Sequence, residues 1–204
     1  MGRMMTQRMM RAPLAMLLLA GLGGCVSLSG GGEPPETLLT LSADARIAAD
    51  TARTSADAHT LAVLTPTVPE TLANDRIAVQ TGDNSFAYIK DARWADQPAR
   101  LFADLLAETI GARTGRLILD RRQLAATGGE RLTGRLQSFG LDAGRGEVVV
   151  IYDATLLPRD GGPVLSRRFE ARVATPSEKA PAVARALNRA ANGVAGQVAD
   201  WVGP

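Results

Sequence analysis

The apolar residues of the chain fall into runs of two different periods. Residues 60–65, Thr-Leu-Ala-Val-Leu-Thr, form a nearly continuous apolar run, the pattern of a strand buried on both faces, and residues 37–41 give a shorter strand. Residues 76–80 and 85–90 flank Thr81-Gly82-Asp83-Asn84, a hairpin whose Gly, Asp and Asn tolerate positive φ. Leu117-Ile118-Leu119 offers another strand. Over residues 131–139 the chain alternates, with Leu132, Gly134 and Leu136 on one face and Arg131, Thr133, Arg135 and Gln137 on the other. Val148-Val149-Val150-Ile151-Tyr152 is the strongest buried-strand segment and is expected at the centre of the sheet. After the turn signal Arg159-Asp160-Gly161-Gly162, residues 164–173 return as its hairpin partner, with Leu165, Phe169, Ala171 and Val173 opposite Arg168, Glu170 and Arg172.

Two segments carry the helical period instead. Asp96-Gln97-Pro98 predicts a helix start, with Asp96 as N-cap and Pro98 in the first turn, where its missing N–H is harmless. Leu101, Phe102, Leu105, Leu106, Thr109 and Ile110 then share one face, and Gly111 and Gly115 close the helix. The second helix carries Val183, Leu187, Ala190, Val194, Val198 and Trp201 at helical spacing, with Trp201 plugging the core at its end. Residues 42–58, rich in Ala, Thr and Asp, lack an apolar stripe and predict a loop or weak helix. The fold class is therefore α+β or mixed α/β: one sheet of about five to seven strands with two main helices packed on it.

The first part of the chain follows a different plan. Residues 1–12 are basic and Met-rich, and residues 13–22 are apolar and end in small residues, the layout of a secretory signal peptide. Ten such residues rise only about 15 Å as a helix, half of a hydrocarbon core about 30 Å thick, so a permanent span is disfavoured. The stretch ends Leu22-Gly23-Gly24-Cys25, which resembles a bacterial lipobox: residues 1–24 are removed and Cys25 becomes an acylated first residue. Such a residue carries diacylglycerol and a further acyl chain, commonly palmitate. Several chains on one residue hold a protein at a membrane where a single chain binds only marginally. Val26-Ser27 follows the Cys, without the Asp that retains lipoproteins at the inner membrane, and this favours the outer membrane. Residues 25–36 then form the acylated Cys and a Gly-, Ser- and Pro-rich tether reaching roughly 18 Å, and residues 37–204 form one periplasmic domain.

Charge has to be located before it is interpreted. The net charge is +2, but three of the 23 basic residues and none of the 21 acidic ones precede Cys25, so the chain from Cys25 onward holds 20 against 21. The case for nucleic-acid binding loses its support. One Cys and one His exclude an internal disulfide, a CxxC pair and two-His metal sites, and no metal is expected. His59 enters an apolar strand and reads as structural, and no Ser or Cys nucleophile has a base and orienter implied by sequence. No Walker A or GxSxG motif occurs, and no GxGxxG follows a strand. The carboxylate pairs Asp142 with Glu147 and Asp83 with Asp91 are spaced as turn residues, so no catalytic residue is named. Arg113, Arg116, Arg121 and Arg122 read as a solvated helix end favoured by the macrodipole, or as a contact for headgroups or an acidic partner.

Residues 61–106 combine Val63, the segment from Pro66 to Pro69, Leu72, Arg76-Ile77, the Gly82-Asp83-Asn84 turn, Tyr88 and above all Trp94-Ala95-Asp96 followed by Pro98 and a Leu-rich helix. On these residues the stretch is similar to the ABC-type transport auxiliary lipoprotein family, which accompanies mammalian-cell-entry (MCE) domain transporters and includes the paraquat-inducible lipoprotein C group. Family members tend to show Trp-Ala-Glu-Pro at that point; here Asp replaces Glu and one residue is inserted. The resemblance implies a non-enzymatic outer-membrane lipoprotein that assists lipid or hydrophobic-compound transport between membranes. Its implied partners are an MCE-domain periplasmic protein and an ABC permease and ATPase, and it implies no cofactor beyond the lipid on Cys25. Tyr88 and Trp94 then read either as core-edge packing or as a docking surface for the MCE component. Against this adaptor stands a carrier, a domain that itself holds an apolar ligand in a cavity of several hundred Å³.

Overall fold

The computed structural model describes residues 38–55 and 59–203, so the predicted signal peptide, Cys25 and the tether lie outside the described residues. In chain order the described residues form β1 (Leu38–Leu39), β2 (Thr60–Val63), β3 (Arg76–Gly82), β4 (Ser85–Trp94), α1 (Pro98–Thr114), β5 (Leu117–Leu119), α2 (Arg121–Thr127), β6 (Glu130–Asp142), β7 (Glu147–Leu157), β8 (Leu165–Ala174) and α3 (Ala180–Val202). The class is the expected α+β, with eight strands and three helices among the described residues in place of five to seven and two.

The sheet is organised around β6. One edge of β6 pairs antiparallel with β7 along nearly its whole length, and β7 pairs antiparallel with β8. The other edge is shared: Glu130, Arg131 and Leu132 pair parallel with β2, and Gly140, Leu141 and Asp142 pair parallel with β3. In the gap between them Thr67 donates its N–H to the Gly134 carbonyl (3.0 Å) and accepts from the Leu136 N–H (2.9 Å). The sheet thus forks into β2–β5 and β3–β4–β1, and β6, not β7, is its centre. β7 is nevertheless interior, as its apolar run predicts, and Leu61 and Ala62 of β2 are both fully buried between their two parallel neighbours.

Alternation in the long strands separates the two faces. Leu132, Leu136, Phe139 and Leu141 of β6 and Val148, Val150, Tyr152, Ala154 and Leu156 of β7 are buried towards α1 and α3. Phe139 meets Trp94 (5.5 Å between ring centroids) and Phe102 (6.4 Å), and Phe102 meets Tyr152 edge-on at 5.3 Å. Five of the eight aromatic residues, Trp94, Phe102, Phe139, Tyr152 and Phe169, are thereby fully buried. Trp201 stacks on Phe169 at 5.5 Å and is half-buried, covering the core edge at the end of α3. The outer face alternates Arg131, Thr133 and Arg135 with Ile151, Asp153 and Thr155 across the ladder.

Several local expectations are corrected. The hairpin between β3 and β4 turns on Asp83 and Asn84, yet neither has positive φ; that conformation falls at Asp91 (φ 55°), where the register slips from Ala78 opposite Tyr88 to Arg76 opposite Arg93. Helix α1 is capped by Gln97 without a side-chain bond, and Asp96 instead accepts from the Gln97 N–H at 2.6 Å and pairs with Arg100 at 3.0 Å. Gly111 lies inside α1, where an added Cβ would sit 3.0 Å from Ile47, and Gly115 (φ 75°) alone ends the helix. The described part of residues 42–58 is an irregular strap. Asn188 Oδ1 accepts from the Ser42 N–H (2.8 Å), Asn192 Oδ1 from the Asp44 N–H (2.8 Å) and Glu108 from the Ile47 N–H (2.7 Å). Side chains one turn apart on α3 thus do for the strap what a neighbouring strand would do.

Candidate functional site

The residues singled out in the sequence separate in space. Trp94 ends β4 with 2% of its surface exposed, its ring against Phe139 and its Nε1 without a hydrogen-bond partner among the described residues. Of the two readings of Trp94, core packing and docking, its burial against Phe139 matches the packing one. Tyr88 lies on the same strand opposite Ala78 and is half-buried. Its hydroxyl donates to the Thr71 carbonyl (3.2 Å) and accepts from Asn74 Nδ2 (3.1 Å), while the Arg76 guanidinium stands 4.5 Å over its ring. Tyr88 therefore clamps the single helical turn Glu70–Leu72 to β4 while keeping part of its ring accessible. Phe86, two residues earlier and opposite Gln80, is 54% exposed. Cys25, the expected lipid attachment point, lies outside the described residues.

The four arginines near the end of α1 do not form one solvated end. Arg113 does lie in the last turn of α1 and pairs with Asp200 of α3 at 2.6 Å. Arg116 is 7% exposed; it pairs with Glu130 and donates to the carbonyls of Gly203 (2.9 Å) and Val202 (3.4 Å), closing the end of α3 from the side. Arg121 and Arg122 open α2, the end at which the macrodipole disfavours cations. That helix was missed in the sequence although its signal is present: Asp120 accepts from the N–H groups of Arg122 (2.7 Å) and Gln123 (2.8 Å), and Gln123 returns to the Asp120 N–H, a complete capping box.

The groups that could carry chemistry are dispersed or paired off. His59 is exposed. Asp142 and Glu147 sit opposite one another as the last ladder pair before the β6–β7 turn, and Asp142 is held by Arg145 at 3.0 Å. No three His, Cys, Asp or Glu residues among the described residues converge as a metal site. On the outer face Arg168 grips Asp153 with two bonds of 2.6 and 2.8 Å, and Gln137 adds a third at 2.9 Å. The Arg168 hydrogen bond is the main reason the Asp153 carboxyl is held down at about 2. Burial drives the Tyr152 hydroxyl in the opposite direction, well above its ordinary range, and it donates to the Thr133 carbonyl at 3.0 Å. The Asp104 carboxyl is raised by burial and, less, by Asp96.

Three depressions border the described residues. A groove of about 330 Å³ runs between the strap and α1, bordered by Ser42, Arg46, Asp104 and Glu108 together with Leu101 and Leu105. A cavity of about 150 Å³ lies against the irregular part of β4, and a small one of about 40 Å³ on the outer face between Gln80, Phe86 and Gly140.

Residues 39–199 match the family model of the ABC-type transport auxiliary lipoprotein component. The chain belongs to this family. No curated protein sequence matches it. Among solved structures, a crystal structure of an uncharacterized protein superposes with a TM-score of 0.63 at 17% identity, over 71% of this chain and 92% of that one. A crystal structure of a protein from Xanthomonas campestris gives 0.61 at 18% identity, over 81% and 94%. Both likenesses concern the fold. The auxiliary lipoprotein is thus a membrane-associated transport component of a family not known for catalysis. No helix among its described residues is long and apolar enough to cross a membrane.

Proposed function

We propose that this auxiliary lipoprotein is anchored in the outer membrane through an acylated Cys25, faces the periplasm, and acts as a non-enzymatic adaptor in the intermembrane transport of lipid or another hydrophobic compound. Its partners are an MCE-domain periplasmic protein and, through it, an ABC permease and ATPase. Family membership across residues 39–199 is the observation that carries this reading. The lipobox Leu22-Gly23-Gly24-Cys25 supports the anchor. Packing supports adaptor over carrier: the apolar residues of α1, α3 and the inner face of the sheet join one continuous cluster, and the 330 Å³ groove is bordered by Arg46, Asp104 and Glu108 and open to solvent. Tyr88 and the exposed Phe86 beside it are the proposed contact for the MCE component. Aromatic residues with one wet edge suit such interfaces.

The test is a crosslinked pull-down of the full-length lipoprotein from membranes, with Cys25→Ala in parallel, identifying bound proteins and co-purifying lipid. Recovery of an MCE-domain protein, with the variant lost from the outer membrane, is the expected result. Lipid in stoichiometric amount without such a partner would make the domain a carrier and overturn the adaptor.

A further inference from the structure

Strand β8 ends the sheet. Among the described residues it pairs with β7 alone, and its other edge carries no strand. Such an edge is a row of open N–H and C=O groups, which proteins blunt with a short strand, a Pro, a Lys or a bulge. The edge strand β5 is three residues long. β8 is ten residues long and contains no Pro, Gly or Lys. It also holds one register against β7, from Leu165 opposite Leu156 to Ala174 opposite Glu147, without a bulge.

The end of the ladder shows which peptide groups face outward. Thr175 donates its N–H to the Gly146 carbonyl at 3.0 Å, towards the β7 side. Peptide groups alternate in direction along a strand, so the N–H and C=O of Ser166, Arg168, Glu170 and Arg172 point to the open edge. An antiparallel partner has to oppose outward residues with outward residues. For a second copy of β8 related by a two-fold axis, the axis must then pass through a residue and not between two.

Charge selects among these registers. An axis at Arg168 sets Arg168 opposite itself, and one at Glu170 sets Glu170 opposite itself and Arg168 opposite Arg172, so like charges repel in both. An axis at Phe169 sets Arg168 opposite Glu170 of the second copy, twice over. It also sets Leu165, 49% exposed, opposite Val173 of the second copy. An axis at Ala171 opposes Glu170 with Arg172 but shortens the ladder and leaves Leu165 without a counterpart. The pair at the Phe169 axis has free valences: Arg168 uses Nε and Nη2 on Asp153, and Glu170 uses Oε1 for Arg172, which leaves Arg168 Nη1 and Glu170 Oε2.

We infer that β8 pairs antiparallel with β8 of a second copy about a two-fold axis at Phe169, so that one sheet continues through both copies and Arg168 and Glu170 set its register. The axis is perpendicular to the sheet, which puts α1 and α3 of both copies on one side. The inference stands apart from the adaptor reading.

The lipoprotein solubilised from membranes in mild detergent is followed by residue-resolved amide hydrogen exchange and by sedimentation. The outward amides of Ser166, Arg168, Glu170 and Arg172 are expected to exchange about tenfold more slowly after about a hundredfold rise in protein concentration. Those of Arg167, Phe169 and Ala171, which face β7, are expected to stay unchanged. Glu170→Arg and Arg168→Glu each oppose like charges twice across the axis, and each alone is expected to sediment as a monomer where the unaltered protein is a dimer. An equimolar mixture of the two restores opposite charges at both positions and is expected to sediment as a heterodimer, which a misfolded variant could not form. Exchange of the outward amides that ignores concentration, or undiminished self-association of Glu170→Arg, would overturn the inference. So would a mixture that stays monomeric while both variants keep the unaltered protein's circular dichroism; if either loses it, the exchange of the unaltered protein decides. Protection of the outward amides that needs an added membrane protein would overturn it too, in favour of a foreign strand on the edge.

Discussion

The two faces of β6 and β7 use the same backbone ladder for opposite ends. On the inner face, Leu136 and Tyr152 or Phe139 and Val150 stand opposite one another and are buried to 1% exposure or less. Shape complementarity decides there: five fully buried rings and the small-residue stripe of α3 interlock, and little can change without leaving a void. On the outer face, one residue along in each strand, Arg135 stands opposite Asp153, and Asp153 opposite Arg168. Cross-strand charge pairing holds that face, with side chains that water also solvates. The inner face is therefore fixed by packing, whereas the outer face is held by charge pairs that tolerate change more readily.

Truncating one residue on each face separates the two most widely. Phe139→Ala removes a ring in contact with both Trp94 and Phe102 and is expected to cost about 3–5 kcal/mol in denaturant unfolding. Ile151→Ala, on the adjacent face and half-buried, is expected to cost about 1 kcal/mol, near the middle of the range for ordinary substitutions. Equal costs for the two would mean that the outer face is a second core and the contrast is wrong.

Glycines mark where the contrast should break down. An added Cβ at Gly134 would lie 2.1 Å from the Asp153 carbonyl and 2.8 Å from the Tyr152 ring, and one at Gly140 would lie 2.4 Å from the Ala78 carbonyl. Both contacts involve backbone that cannot swing away. Gly134→Ala and Gly140→Ala are each expected to cost about 1–3 kcal/mol. Gly140 borders the outer-face depression, so its cost would show that the neighbouring strand, as well as burial, constrains that face. Thermal unfolding of the two variants checks it; a neutral Gly140→Ala would mean that β3 and β6 part easily.

What could be read from the sequence follows the same division. Period-2 alternation reports the β6 faces over residues 131–136, but the register shift between Leu136 and Ser138 brings Phe139 back to the inner face against that alternation; the interior apolar run of β7 and the helical stripe of α3 leave little choice. Pairing order is not local. That β6 rather than β7 is the hub depends on two parallel partners, β2 and β3, sharing one edge, which no single segment encodes. Buried polar contacts were the least legible. Arg116 looks like its exposed neighbour Arg113 until Glu130 and the end of α3 are brought to it. Asn188 and Asn192 gain meaning only with the strap across them. The α2 cap is different, since Asp120 and Gln123 stand at capping-box spacing in plain view. For the site, the β3–β4 hairpin bearing Tyr88 was legible, whereas the irregularity at Asp91 was not.

The finest contrast concerns charge alone. Asp153 has a folded-state pKa of about 2, below the ordinary carboxylate range, chiefly because Arg168 hydrogen-bonds its ionised form. A depressed acid favours the folded state wherever the unfolded chain would also be ionised. Its contribution is therefore full above about pH 4, the unfolded value, and is lost as pH falls towards 2. The Arg168 side chain is 62% exposed and Asp153 27%, so solvent screens the pair and the contribution is expected to be about 1 kcal/mol or less. Asp153→Asn should lower stability by that amount at pH 7 and by almost nothing at pH 2, so the two unfolding curves converge on acidification. About 1 M salt at neutral pH should bring them together in the same way, because screening acts on the outer face and leaves the packed inner face untouched. Curves that stay apart at both low pH and high salt would show that Asp153 acts through shape or hydrogen bonding, as the residues on the other side of the sheet do.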